Sequence, residues 1–185
     1  TPTQRATEDS AIATTMKKAE QGDAEAQLRL GSMYFNGQVV PQDLAKAASW
    51  YRKVAELGND KTQLMLGFLL DRGLGLSKDS AEAAQWFRKS AEQGNPAAQF
   101  NLGKILLSGQ VVRQDAAKAA KWFREAARQG YARAQVHLAI LNIQGVGVPQ
   151  DYTEAMKWYG KAIEQGHEEA KSVIRVQKSI ELATS

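Results

Sequence analysis

Apolar side chains recur along this chain in two alternating helical stripes. Between Gly22 and Leu57, Ala26, Leu30, Met33 and Tyr34 fall at helical spacing in the first half, and Ala47, Trp50, Tyr51 and Val54 do so in the second. Each half therefore predicts an amphipathic helix with one apolar stripe. Gly37 and Pro41 stand in the break between them, where they supply a positive φ or a helix stop. The pattern then returns with a step of 36 residues, seen in Trp50, Trp86, Trp122 and Trp158 and in Gly22, Gly58, Gly94, Gly130 and Gly166. A fixed period of that size predicts stacked copies of one helix pair, an all-α solenoid that presents a surface.

The same period sets the expected organisation. A polar tail covers residues 1–6 and a single repeat domain covers 7–182, made of an N-terminal capping helix (7–21), four repeats (22–57, 58–93, 94–129 and 130–165) and a C-terminal capping helix (166–182). In the first capping segment Thr14 stands where the Trp would be, and in the last Ile174 keeps a first-helix position while Arg175 takes the glycine position. Asp43, Asp79, Asp115 and Asp151 recur just before each second helix, as N-caps would. Glu82 and Glu154 follow two of them at capping-box spacing. Gly31, Gly67 and Gly103 recur inside the first helices, with Ala139 in the fourth copy. Because helical glycine costs about 1 kcal/mol against alanine, its return implies that a neighbouring helix backbone or a Trp ring needs the room. Gly160, where Arg52, Arg88 and Arg124 stand, and Asn142, where Tyr34, Leu70 and Leu106 stand, mark the fourth repeat as the least stable.

The copies also differ from one another in an ordered way. On the first helices one face is invariant in kind, while the opposite face runs Glu25, Arg29, Ser32, Asn36, then Lys61, Met65, Phe68, Arg72, then Ala97, Asn101, Lys104, Ser108, then Arg133, His137, Ile140, Gln144. Packing positions must repeat and a binding surface need not, so the variable face is assigned to partner contact. Its candidate contact residues are Arg29, Met65, Phe68, Arg72, Asn101, Lys104, Arg133, His137 and Ile140, with Met65, Phe68 and Ile140 apolar where water is expected. Gln27, Gln63, Gln99 and Gln135 recur without exception. They are read as side-chain hydrogen bonds to neighbouring backbone, since amides are poor acids and bases.

Composition narrows the chemistry further. At 185 residues, 43% hydrophobic and 24% charged, the chain can bury a core, and it has no apolar run long enough to cross a membrane. The net charge of +4 is concentrated in 94–129, where Lys104, Arg113, Lys118, Lys121, Arg124 and Arg128 face only Asp115 and Glu125; the other segments balance. Such a patch can steer an acidic partner, whereas balanced charge elsewhere argues against a continuous phosphate track and so against nucleic acid. With no Cys and only His137 and His167, no metal site or cofactor is expected. No nucleophile–base motif appears either, and the chain reads as non-enzymatic.

The segments Ala98-Leu102-Gly103, Gly109-Val112, Asp115-Ala119-Trp122-Phe123 and Ala127-Gly130 carry a pattern that resembles the Sel-one-like repeat (SLR) family, relatives of the tetratricopeptide repeats, over about residues 7 to 180. The resemblance implies a right-handed α/α superhelical solenoid with first helices on the concave side, acting as a protein-binding scaffold or adaptor. It also implies an alternative role as an immunity or inhibitor protein against a secreted bacterial effector, and a lesser one in cell-envelope assembly. The partner expected is another protein, of acidic character or a secreted effector. Thr1 in place of Met and the polar tail suit an exported bacterial protein, periplasmic or envelope-associated, with a cytoplasmic location as the rival expectation.

Overall fold

The computed structural model describes residues 2–168, 170 and 171, and among these the regular structure is entirely α-helical. α1 (Pro2–Glu20) is followed by α2 (Ala24–Asn36), α3 (Leu44–Glu56), α4 (Asp60–Arg72), α5 (Ser80–Glu92), α6 (Pro96–Ser108), α7 (Ala116–Arg128), α8 (Ala132–Gln144) and α9 (Tyr152–Glu164). Residues 2–6, expected as a tail, belong to α1. The expected capping helix at 166–182, with Ile174 and Arg175, lies mostly outside the described residues. By its internal contacts the chain divides into two compact units, the first ending at Ser90 in the last turn of α5 and the second starting at Ala91. Within the first unit α1 packs on α2, α2 on α3 and α3 on α4, and within the second α6 packs on α7, α7 on α8 and α8 on α9.

Local chemistry explains where these helices start and stop. Asp43, Asp79, Asp115 and Asp151 each accept the backbone N–H three residues on, from Lys46, Glu82, Lys118 and Glu154, at 2.8–2.9 Å. The Lys46 N–H holds the Asp43 carboxyl below its ordinary range, and the Lys118 N–H does so for Asp115. The expected capping boxes are only half made. Each Asp donates its own N–H to the end of the preceding helix, at Tyr34, Leu70, Leu106 or Asn142 O, 2.9–3.0 Å away. That donor is therefore already satisfied, and the Glu side chains turn elsewhere. Glu82 accepts from Arg52 and from Trp86 Nε1, while Glu154 pairs with Lys157. Gly37, Gly73, Gly109 and Gly145 end the first helices with φ of 67–68°. Gln42, Gln114 and Gln150 then clamp the connecting loops, donating to Phe35, Leu107 and Ile143 O at 2.7–2.8 Å.

The core corrects one expectation from the sequence. Trp86 and Trp158 are buried, but Trp50 and Trp122 are only half-buried. The deeper ring is the adjacent one, Tyr51, Phe87, Phe123 or Tyr159. A Cβ on Gly31, Gly67 or Gly103 would come within 2.7–2.8 Å of the Tyr51, Phe87 or Phe123 ring respectively. The recurrent glycine therefore makes room for the Tyr/Phe ring, and neither a Trp ring nor a helix backbone is the neighbour. Three of the Trp rings carry a lysine from the next turn, with Nζ of Lys53, Lys89 and Lys161 at 4.1, 4.2 and 4.5 Å from the ring centroids. At Gly160 a Cβ would meet nothing within 4 Å, so this glycine, unlike the others inside helices, frees no space for a ring.

The glutamines behave as the sequence reading expects, with a further link. Gln27, Gln63, Gln99 and Gln135 donate through Nε2 to the carbonyls of Ala19, Ala55, Ala91 and Ala127 at 3.0–3.3 Å. Gln129 and Gln165 donate in turn to Gln99 and Gln135 Oε1, both at 2.9 Å. In the first copy Leu57 stands where Gln129 and Gln165 stand, 67% exposed, and Gln27 Oε1 is buried with no partner. A buried acceptor left unmade is a stability cost. Leu57→Gln is therefore expected to stabilise the protein by about 1 kcal/mol, read as a higher urea midpoint at unchanged slope. A lowered midpoint would refute the ladder.

Candidate partner-binding face

In the first unit the variable face divides into different environments. Arg29 is exposed on α2 and borders a cleft of about 450 Å³ beside α1. That cleft opens where Thr14 and Thr15 replace the Trp–Tyr/Phe pair of the later copies. Met65 is not an open apolar contact. It is half-buried and packs on the cluster of Ala47, Ala48, Tyr51 and Leu69. Phe68 does face outward, 39% exposed, with the Arg72 guanidinium 5.8 Å from its ring centroid. These two form an aromatic–cation pair one helical turn apart.

The second unit brings more of the candidates together. Lys104 on α6 holds Nζ 5.7 Å from the Phe100 ring, and His137 on α8 meets the same ring at right angles, 4.9 Å away. His137 also lies 5.3 Å from Phe123, and its Nδ1 is 3.0 Å from Arg133 O. Arg133 is exposed, while Asn101 and Ile140 are half-buried. Two members of this group are absent from the candidates read from the sequence. Phe100 occupies a position that is Leu28, Leu64 or Val136 in the other copies. Tyr131 stands where Asp23, Asn59 and Asn95 cap their helices; it makes no side-chain cap and stacks on Phe100 at 5.4 Å instead. Both departures from the internal pattern were visible signals, but neither lies on the outward rows.

Charge in the third copy is partly cancelled. Lys118 pairs with Asp115 at 3.0 Å and Arg128 with Glu125 at 3.7 Å, whereas Lys104, Arg113, Lys121 and Arg124 join no ion pair among the described residues. No group of three or more His, Cys, Asp or Glu among the described residues could hold a metal. No described helix is long and apolar enough to cross a membrane.

Comparison with known proteins agrees with this architecture. The Sel1 repeat model matches residues 24–59, 61–95, 96–131 and 132–167, so its unit starts at the first helix, two or three residues after the periodic glycines Gly22, Gly58, Gly94 and Gly130. A Sel1 repeat protein from Oxalobacter formigenes is 34% identical with a TM-score of 0.79, over 88% of this chain and 65% of that one. A protective antigen of uropathogenic Escherichia coli with an SLR fold is 32% identical with a TM-score of 0.55, over 86% of this chain and 42% of that one. An immunity protein from Pseudomonas aeruginosa is 26% identical with a TM-score of 0.52, over 88% of this chain and 59% of that one. The chain thus spans less than two thirds of the length of each of these structures. No match was found among curated proteins. With four family repeats in register over the helix pairs described above, the chain belongs to the Sel1 repeat family, whose fold generally serves protein–protein interaction.

Proposed function

We propose that this chain is a non-catalytic scaffold that holds a partner protein, or a segment of one, on the variable face of its first helices. One observation carries the reading. The side chains that build the core and the helix ends recur from copy to copy, whereas the outward rows differ and include an exposed Phe68 beside Arg72. An aromatic anchor with an adjacent guanidinium is the pairing in which binding energy concentrates at interfaces. A second reading, inhibition of a secreted effector, draws support from the likeness to an immunity protein of Pseudomonas aeruginosa. It differs in one respect: the partner would be an active toxin whose activity stops on binding.

The test is to capture partners on the full chain, identify those that crosslink to α2, α4, α6 or α8, and titrate them against folded variants. Phe68→Ala is expected to weaken binding roughly thirtyfold, the scale of losing about 2 kcal/mol at an anchor. Lys121→Ala on α7 should change mainly association rate and salt dependence. An affinity that follows Lys121 and ignores Phe68 and Arg72 places the partner on the second helices and defeats the proposal. Loss of the partner's own enzymatic activity in the complex decides for the inhibitor reading.

A further inference from the structure

We infer that the α6–α8 face of the second unit is a docking site for an acidic protein segment that also carries apolar side chains. The inference rests on the scaffold reading and names its partner chemistry. Charge complementarity is the main argument. Pro96–Ser108 and Ala132–Gln144 contain Lys104, Arg133 and His137 and not one Asp or Glu. Neither Lys104 nor Arg133 joins an ion pair among the described residues, and both are exposed. The two fixed charges are therefore uncompensated, a setting in which opposite charge on a partner is attracted and like charge repelled.

What lies between the charges is apolar and ordered. Arg133, His137 and Ile140 follow one another at helical spacing on one face of α8, and the last two are half-buried. His137 is held edge to face against Phe100, which Lys104 approaches from α6. Tyr131 completes this ring cluster in place of a helix cap. Giving up a cap costs about 1 kcal/mol, so the first turn of α8 departs from the local rule of the other copies at the spot where Arg133 stands. Such departures gather at functional sites. A nucleic-acid strand would instead need an open ring face for base stacking and a longer run of cations, and Phe100 is only 5% exposed.

The experiment uses the full chain and fluorescence anisotropy. The probes are a fluorescein-labelled peptide of repeated Asp-Glu-Leu units, its counterpart with Lys at every acidic position, and an oligothymidine of equal length. The acidic peptide should bind in a salt-sensitive way and bind at least about tenfold more weakly to Lys104→Glu/Arg133→Glu, while Lys121→Glu loses less than about twofold. Both substituted residues are exposed and join no ion pair among the described residues, so thermal melts should change little. If the reversal variant does not fold, Lys104→Ala/Arg133→Ala serves in its place, with an intermediate loss expected. Equal binding of the acidic peptide to the parent and the variant overturns the site, as does tighter binding of the Lys peptide or the oligothymidine. A natural partner that needs Phe68 but ignores Lys104 and Arg133 would overturn this inference while leaving the scaffold reading intact.

Discussion

Phe123→Ala should cost about 3–5 kcal/mol, the range for emptying a large buried aromatic site, and Trp122→Ala should cost distinctly less. Phe123 has no exposed surface, and its ring lies 5.7 Å from Phe100 and 5.3 Å from His137. The wall opposite is Gly103, whose missing Cβ leaves the space that the ring fills. No side chain at that position can move in, so the cavity would collapse poorly, and poor collapse puts a truncation at the upper end of its range. Trp122 is half-buried and lacks the lysine that covers the other three Trp rings, because Glu125 stands at that place. Chemical denaturation of both variants decides the matter. Equal losses, or a larger one for Trp122→Ala, would show that the Tyr/Phe ring is not the principal core element.

Gly75→Ala is expected to destabilise by about 2–5 kcal/mol. Two costs combine. Its φ is +71°, where a residue with a Cβ loses about 1–2 kcal/mol, and the added Cβ would fall 2.2 Å from the Leu44 carbonyl carbon and 2.6 Å from Ala45 N. Those atoms are helix backbone at the start of α3 and cannot rotate aside as a side-chain tip would, so overpacking adds its usual 1–3 kcal/mol or so. Gly58→Ala is the control. Its φ is +96°, and nothing lies within 4 Å of the Cβ position, so it should show only the conformational part. The difference between the two midpoints isolates the close approach. Gly147 repeats the arrangement in the second unit, with Ala116 O at 2.2 Å. If Gly75→Ala and Gly58→Ala unfold alike, the loop does not press on α3 as described.

Most of the fold is legible in the sequence because most of it is built from short-range chemistry. Helix starts depend on a carboxylate within three residues, helix ends on a glycine in the left-handed region, and helix faces on apolar spacing; all three can be counted along the chain. The repeat adds internal comparison, which marks the glutamines as hydrogen-bonding residues and the outward rows as variable. The candidate site is legible only in part. Met65 and Phe68 look alike as apolar residues on one face, yet Met65 is drawn into packing beside Tyr51 and Phe68 stays in water. Phe100 and Tyr131 belong to inward or capping positions in the pattern, so nothing local marks them as neighbours of Lys104 and His137.

The 36-residue period, the helix pairs, their caps and the Gln-to-carbonyl bonds follow from the order of residues alone, since each depends on partners within about ten positions. Which of two adjacent aromatics goes deepest does not follow. Neighbours on a helix differ in direction by about 100°, and both are apolar, so only the packed helices decide that the Tyr/Phe ring takes the room left by Gly31, Gly67 and Gly103 and that a lysine lies over the Trp beside it. The half-made capping boxes have the same origin. Spacing allows Glu82 to reach back to Asp79 N–H, but the carbonyl of Leu70 already accepts that proton. Leu57 and Gln27 stand 30 residues apart, and only the Gln129–Gln99 and Gln165–Gln135 bonds of the folded chain, at the same separation, mark that leucine as a missing hydrogen bond.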